Sequence, residues 1–343
     1  MKDNKKHKKA EYGILITGLI ILLAVACIIA LCAGQYSVSV PEVIKILASR
    51  FVNVTKTWSN TAEGVVFTLR LPRIIGAVLV GSALSLSGAA YQGVFKNPLV
   101  APDLLGVSSG ACVGASVAIL LHLNSFGVQA MAFVAGILAV GLTLFIPRLI
   151  KNTNMTMLVL SGIIVKGIMD SVMGIIKYVA DPETELQSIT YWQLGSLTKV
   201  LPKDLFTVGP VIVAASVIIF LLRWRINILS LGDREAKTLG VSVTIVRNFI
   251  IICATLLTAS AVCISGTIGW IGLVIPHFAR MLTGPDNTKA IPASILMGAI
   301  FMVVIDTLAR ALTSVELPLS ILTGIIGAPF YIIILARQRM KLS

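Results

Sequence analysis

Apolar runs of about twenty residues, broken by short polar or Gly/Pro-containing stretches, recur along the whole chain. Their limits predict ten helices, at approximately 12–34, 66–92, 106–121, 128–149, 155–178, 204–222, 243–263, 270–283, 290–309 and 319–337. Crossing a bilayer takes about 20 mostly apolar residues per helix. Most of the runs reach that length, whereas 106–121 and 270–283 are too short to cross alone. A lipid-facing backbone must satisfy its hydrogen bonds internally, and the alternating strands of about ten residues that build a barrel are absent. The expected fold class is an all-α membrane protein, a polytopic bundle of about ten transmembrane helices, with residues 1–343 forming a single transmembrane domain.

Composition agrees with the pattern. The chain is 57 % hydrophobic and 13 % charged, where a soluble domain carries about a quarter charged residues. A net charge of +13 would point to nucleic acid only if it lay on one folded face; here Lys and Arg punctuate the apolar runs. With the N-terminus inside, 18 of the 28 Lys and Arg fall on inner segments, nine fall outside, and Lys166 lies within a span. That bias places both termini, and the polar stretch near residue 235, in the cytoplasm. The N-terminal MKDNKKHKKAEY and the run GILITGLIILLAVACIIALCAG read as a basic flank and a first span. The apolar core of about 20 residues exceeds the 7–15 of a signal peptide. The five cysteines sit in apolar stretches without paired spacing and read as small buried hydrophobes. No His/Cys/Asp/Glu cluster has metal spacing, and no Ser/His/Asp set suggests hydrolysis.

One stretch breaks the apolar rule, ILSLGDREAKTLGVSV at 228–243. Asp233 can cap a short helix and Gly240 can take the left-handed position after it. Seven to ten residues give about 10–15 Å of helix, too short to span. Ala236 and Leu239 offer a small apolar face, and Arg234, Glu235 and Lys237 can pair with a polar groove. Such a helix either rests on the bilayer surface or docks as a peg into a cytoplasmic partner. The chain has no GxxxxGK[ST] phosphate loop, so any ATP-driven motor belongs to another subunit.

Several long motifs in order carry a family resemblance: RLPRIIGAVLVGSALSLSGAAYQGVFKNPLVAPDLLGVSSGA from Arg70 to Ala111, YWQLGSL at 191–197, LGDREAKTLGV at 231–241, SGTIGWIGLVIPHFARML at 265–282 and ELPLSILTGIIGAPF at 316–330. From about residue 60 onward the chain resembles the permease subunits of type II ABC importers of ferric siderophores, haem and cobalamin. The resemblance implies that family's fold and a role as one half of a permease dimer, identical or related in its two chains. It also implies two ATP-binding partner subunits, an extracellular substrate-binding protein, a bacterial cytoplasmic membrane, and no cofactor on this chain, ATP and Mg being used by the partner ATPase. The chain is then no enzyme itself, and a ferric siderophore is the expected cargo, with haem or cobalamin as alternatives.

The same resemblance implies roles for particular residues. Gly232, Glu235, Ala236, Leu239 and Gly240 match the coupling helix that sits in a groove of the ATPase. Arg70, Arg73 and Arg310 match arginines that receive glutamates of a binding protein; as ordinary outer arginines they would only snorkel to headgroups. Asn97 and Leu99, with Met155 and Thr156, match two layers of a cytoplasmic gate, although an Asn-Pro pair marks a turn in any case. Lys166 and Asp170 depart from the small or apolar character usual in that helix. Four apart, they share one helix face, and a lysine at membrane depth costs about 2.5–3.5 kcal/mol unless paired or wetted. They either neutralise each other in a pair between helices or line the central path. His277 reads as a structural hydrogen-bonding residue. Two other classes remain open on the residues alone. An ion-gradient-driven secondary transporter would rely on Lys166 and Asp170, and a non-transporting scaffold would lack a gated cavity.

Overall fold

The computed structural model describes residues 2–152, 154–313 and 315–339, with side chains between Ala10 and Ile332. Met1, Thr153, Ser314 and residues 340–343, including Lys341, lie outside the described residues, as do the side chains of Lys2, Lys5, Lys6, Lys8, Lys9, Arg337 and Arg339. The elements are α1 (Lys2–Cys32), α2 (Val40–Ala48), α3 (Asn60–Gly64), a π turn (Val65–Arg70) running into α4 (Leu71–Phe95), a 3-10 turn (Pro102–Leu105), α5 (Val107–Leu120), α6 (Ser125–Leu149), α7 (Met155–Val179), α8 (Glu185–Leu194), α9 (Pro202–Leu231), α10 (Asp233–Thr238), α11 (Val243–Ser265), α12 (Ile271–Thr283), α13 (Asn287–Ala311) and α14 (Leu319–Arg339).

Each of the ten apolar runs is a helix, and the polar stretch is α10. Among the described residues seven helices are long and apolar enough to cross a membrane, and Val107–Leu120, Ile271–Thr283 and Leu319–Ile332 are shorter apolar helices. The helices begin where the sequence supplies caps. Asn124 accepts from the Gly127 N–H at 2.9 Å, Asn154 from Met157 at 2.7 Å, and Asp286 from Thr288 at 2.9 Å. Beyond expectation are α2, α3 and α8, and the 30-residue length of α9. Arg223 does not end that helix because its guanidinium folds back, donating to the Phe220 carbonyl at 2.7 Å and covering the Phe220 ring.

The core is built around α4, which packs against α13, α11, α9 and α12. Small residues let the backbones touch. A Cβ added at Gly81 would lie 2.2 Å from the Gly298 carbonyl oxygen, and one at Gly298 would lie 2.4 Å from that of Gly81. Without a hydrophobic drive between helices in lipid, such close packing and interhelical hydrogen bonds hold the bundle. Ser85 Oγ donates to the Ser294 carbonyl at 2.8 Å, and Ser87 and Tyr91 meet Thr258 and Thr255 on α11 at 2.7 and 2.9 Å. The outward faces of α1, α6, α7 and α9 carry exposed apolar side chains, among them Ile14, Leu138, Ile168 and Leu221.

Two ends of the bundle are distinct. At one, polar contacts tie the connecting segments to the bundle: Lys96 after α4 lies 3.6 Å from Asp233 of α10, Arg247 of α11 donates to Asp233 at 2.7 Å, and Asn227 of α9 donates to Asp286 in the α12–α13 turn at 2.6 Å. At the other lie Arg70, Arg73, Arg310 and the end of α1. Between α11 and α12 the backbone of 266–270 is not helical. Protein groups satisfy it in part: the Thr267 hydroxyl donates to the Gln193 carbonyl at 2.5 Å, and Ser320 donates to the Thr267 carbonyl. Irregular backbone at membrane depth is tolerated only where protein buries it or where it lines a cavity, and this segment does line one.

Candidate functional site

That cavity, of about 350 Å³, opens between α4, α5, α7, α8 and α12. Lys166 and Asp170 from α7 line it, joined by Asp103, Ser108, Ser109, Gln193 and Trp270. Lys166 Nζ donates to Asp170 Oδ2 at 2.7 Å, and both side chains are about half exposed. The pair is therefore made within one helix, not between two. Because it faces a polar cavity, its charges keep access to water, and the cost of a lysine in hydrocarbon is avoided. Asp103, Gln193 and Trp270 were not expected from the sequence. Trp270 occupies the left-handed region at φ 71°, where a bulky residue is a genuine outlier. Its side chain rests on α14, where a Cβ at Gly327 would come within 2.7 Å of the Trp270 Cβ.

At the α10 end, Gly232 (φ 143°) and Gly240 (φ 76°) bracket the short helix. Both conformations disfavour a side chain, and a Cβ at Gly232 would also strike the Glu235 carboxylate at 1.9 Å. Ala236 is fully buried, whereas Leu239 is 59 % exposed. The apolar face expected from Ala236 and Leu239 together is thus divided: Ala236 seats α10 on its own chain, against α9 and α11, and Leu239 points away. Beside it runs an open depression lined by Lys237 and residues 240–245. Partial burial pushes the Asp233 carboxyl up, but the Arg247 hydrogen bond and the charges of Arg247 and Lys96 outweigh it and hold the group below the usual carboxylate value.

Of the four gate residues, Asn97 and Leu99 share one turn, in which Asn97 Oδ1 accepts from the Leu99 N–H at 2.9 Å. Lys96, which closes α4 in the left-handed region, joins this turn to α10 through Asp233. Met155 and Thr156 open α7, behind the Asn154 cap. His277 is buried, its ring edge-on to Tyr331 at 6.2 Å.

At the opposite end the three arginines are 5, 8 and 7 % exposed for Arg70, Arg73 and Arg310. They are not free surface cations. Arg70 donates to the Leu31 and Cys32 carbonyls at 2.6 and 3.1 Å and to that of Tyr36; Arg310 donates to Ala33 at 2.9 Å and to Ala30. They satisfy carbonyls at the C-terminus of α1 that have no helical partner. Arg73 binds Asp306 at 2.8 and 3.0 Å and Glu316 at 2.8 Å. Asp306 is buried between Arg73 and Arg310, the latter 3.7 Å away. Removing one member of such a cluster strands the others, typically at 3–5 kcal/mol. Asp306→Ala should therefore lower the thermal midpoint of the purified chain by several degrees; an unchanged midpoint would refute the buried-cluster assignment.

The model of the FecCD transport family matches residues 22–337. The chain belongs to that family. This permease is 37 % identical to the molybdate import system permease protein of Haemophilus influenzae over 322 residues, 94 % of this chain and 95 % of that one. It is 41 % identical to a Helicobacter pylori protein named "Probable iron chelatin transport system permease protein" over 80 % of this chain and 83 % of that one. It is 35 % identical to the hemin transport system permease protein of Yersinia pestis, covering 87 and 91 %. A solved inward-facing ABC transporter of metal-chelate type matches at TM-score 0.85 and 35 % identity, over 95 % of this chain and 99 % of that one. The permease is thus an all-helical, multi-span membrane subunit of an ABC importer, with the permease fold of that transporter class.

Proposed function

We infer that the permease is one half of a dimer in a bacterial cytoplasmic membrane, both termini in the cytoplasm, that imports an iron chelate with energy from ATP. Two separate ATP-binding subunits hydrolyse the ATP and hold its Mg. They seat on α10, which presents Glu235, Leu239 and Gly240, while Gly232 gives the sharp turn into it and Ala236 anchors it from beneath. Drawing the two ATPases together pushes α10 and, through its Asp233–Lys96 pair, the Asn97–Leu99 turn, tilting the permease halves between inward-open and outward-open states. An extracellular binding protein delivers cargo at the arginine end, its carboxylates exchanging with the carbonyl and carboxylate partners of Arg70, Arg73 and Arg310.

The observation that carries this reading is the cavity lined by the Lys166–Asp170 pair and by the irregular backbone of 266–270. A scaffold has no use for a cavity that carries charged side chains there. Its charged lining, two aspartates to one lysine, suits a bulky chelate whose metal charge its own ligands already neutralise, and is ill matched to a small bare oxoanion. The naming of a 41 % identical relative after an iron chelate supports the same cargo.

The experiment is uptake in a strain lacking its native permease, normalised to inserted protein, with radiolabelled ferric chelate, haem and molybdate in parallel. Ferric chelate is expected to enter. Lys166→Met with Asp170→Leu, which removes both charges together, should insert normally and transport at least about tenfold less, the size of one lost polar contact. Uptake of molybdate alone would overturn the cargo while leaving the importer. Double-variant uptake equal to wild type would remove the pair from the path.

A further inference from the structure

Pro276 leaves an unmet acceptor one turn earlier in α12. It has no N–H, so the Gly272 carbonyl, which would accept from residue 276 in a regular helix, loses its helical partner. The neighbouring helix α4 reaches that carbonyl. Gly88 brings the α4 backbone against it, and one turn on, the Gln92 side-chain amide donates to the Gly272 and Leu273 carbonyls at 3.4 and 3.2 Å. The same nitrogen donates to the Val100 carbonyl at 3.2 Å, in the turn that carries Asn97 and Leu99. The Gln92 oxygen accepts from Arg280, a turn past Pro276 on α12. Gln92 is buried.

An amide nitrogen carries two N–H groups, and here they serve three carbonyls on two segments. The bonds are shared and long, so the side chain can shift between α12 and the turn without losing all its partners. We propose that Gln92 is a positioning residue that ties the Asn97–Val100 turn to α12, and that Arg280 holds its amide in the donating orientation. Movement of α12 is passed to the turn through this side chain, beside the direct packing of Pro102 on Gly272 just after the turn. The inference rests on the reading of Asn97 and Leu99 as a gate.

Three substitutions separate its parts. Gln92→Glu keeps an acceptor for Arg280 but has no donor for the carbonyls; Gln92→Met keeps the shape and removes both; Arg280→Gln frees the amide to turn over. Each is assembled with its partner subunits in nanodiscs and carries a spin label on Leu99→Cys, with Cys27 and Cys32 changed to Ser. Label-to-label distance across the dimer is read with and without ATP, and transport per ATP hydrolysed is measured on the unlabelled proteins. The wild type should give two separate distances. Gln92→Glu and Gln92→Met should merge them into one broad distribution and lower transport per ATP about tenfold, with hydrolysis retained. Arg280→Gln should move both readouts the same way, and it decides the matter if the Gln92 variants fail to insert. Variants with wild-type distances and wild-type transport per ATP would overturn the role of Gln92. A wild-type Leu99 distance that ignores ATP would overturn the gate reading, and this inference with it.

Discussion

Gly88→Ala should leave almost no folded permease in the membrane. A single Cβ at this position would lie 1.8 Å from the Gly272 carbonyl oxygen and 2.6 Å from its carbon, and both atoms are backbone, which cannot turn aside. The helices would have to separate, and that movement would also pull Gln92 from Gly272 and Leu273. Overpacking a tight interior costs about 1–3 kcal/mol and occasionally more; loss of the buried amide bonds adds to it. The control is Gly141→Ala, on a face with nothing within 4 Å of the new methyl group, which should behave as wild type. Yield of monodisperse protein extracted in mild detergent reads both. Equal yields for the two variants would contradict the close α4–α12 packing.

The second large effect is expected at α10. Leu239→Asp should give a fully inserted, stable permease that no longer retains its ATPase partners on purification and no longer transports. Leu239 is exposed and adjoins the open depression at 240–245, so a charge there costs the isolated chain little and costs an apolar partner groove much. Ala236→Arg should behave differently. Ala236 is wholly inside, and an arginine would unseat α10 from α9 and α11, loosening the segment even without partners. Protease sensitivity of residues 232–242 in the purified permease separates them. It should be unchanged in Leu239→Asp and raised in Ala236→Arg. Normal co-purification of Leu239→Asp with the ATPases would refute the peg.

The ten apolar helices were legible because membrane helices announce themselves through apolar runs between polar or Gly/Pro breaks, and α10 because charge stands out against that background. What escaped the pattern did so for physical reasons. The helix α8, ELQSITYWQL, is short and mixed in polarity, so no apolar period marks it. α9 outruns its predicted end because Arg223 hides its charge over Phe220. The burial of Arg70, Arg73 and Arg310 depends on the carbonyls of α1 and on Asp306, partners far away in sequence. The face of a six-residue helix is set by what it lies on, so Ala236 and Leu239 were placed together when one belongs inside and the other out. Lys166 and Asp170 were legible as a pair, since four residues apart on a helix are neighbours, but only the cavity shows that they face a shared polar space. Gln92 carried no signal of its own, because its partners Gly272 and Leu273 lie about 180 residues away and become neighbours only where Gly88 meets Gly272.

The central claim, that this chain is a passive conduit driven through α10 by ATP hydrolysed elsewhere, is tested most directly in proteoliposomes. The permease is reconstituted with its ATP-binding partners and binding protein, and radiolabelled ferric chelate is followed with ATP or a non-hydrolysable analogue on the α10 side. Accumulation that needs hydrolysable ATP and the partner subunits, and that ignores an imposed ion gradient, is the predicted result. Accumulation by the permease alone, driven by an ion gradient without ATP, would contradict the account and identify a secondary transporter.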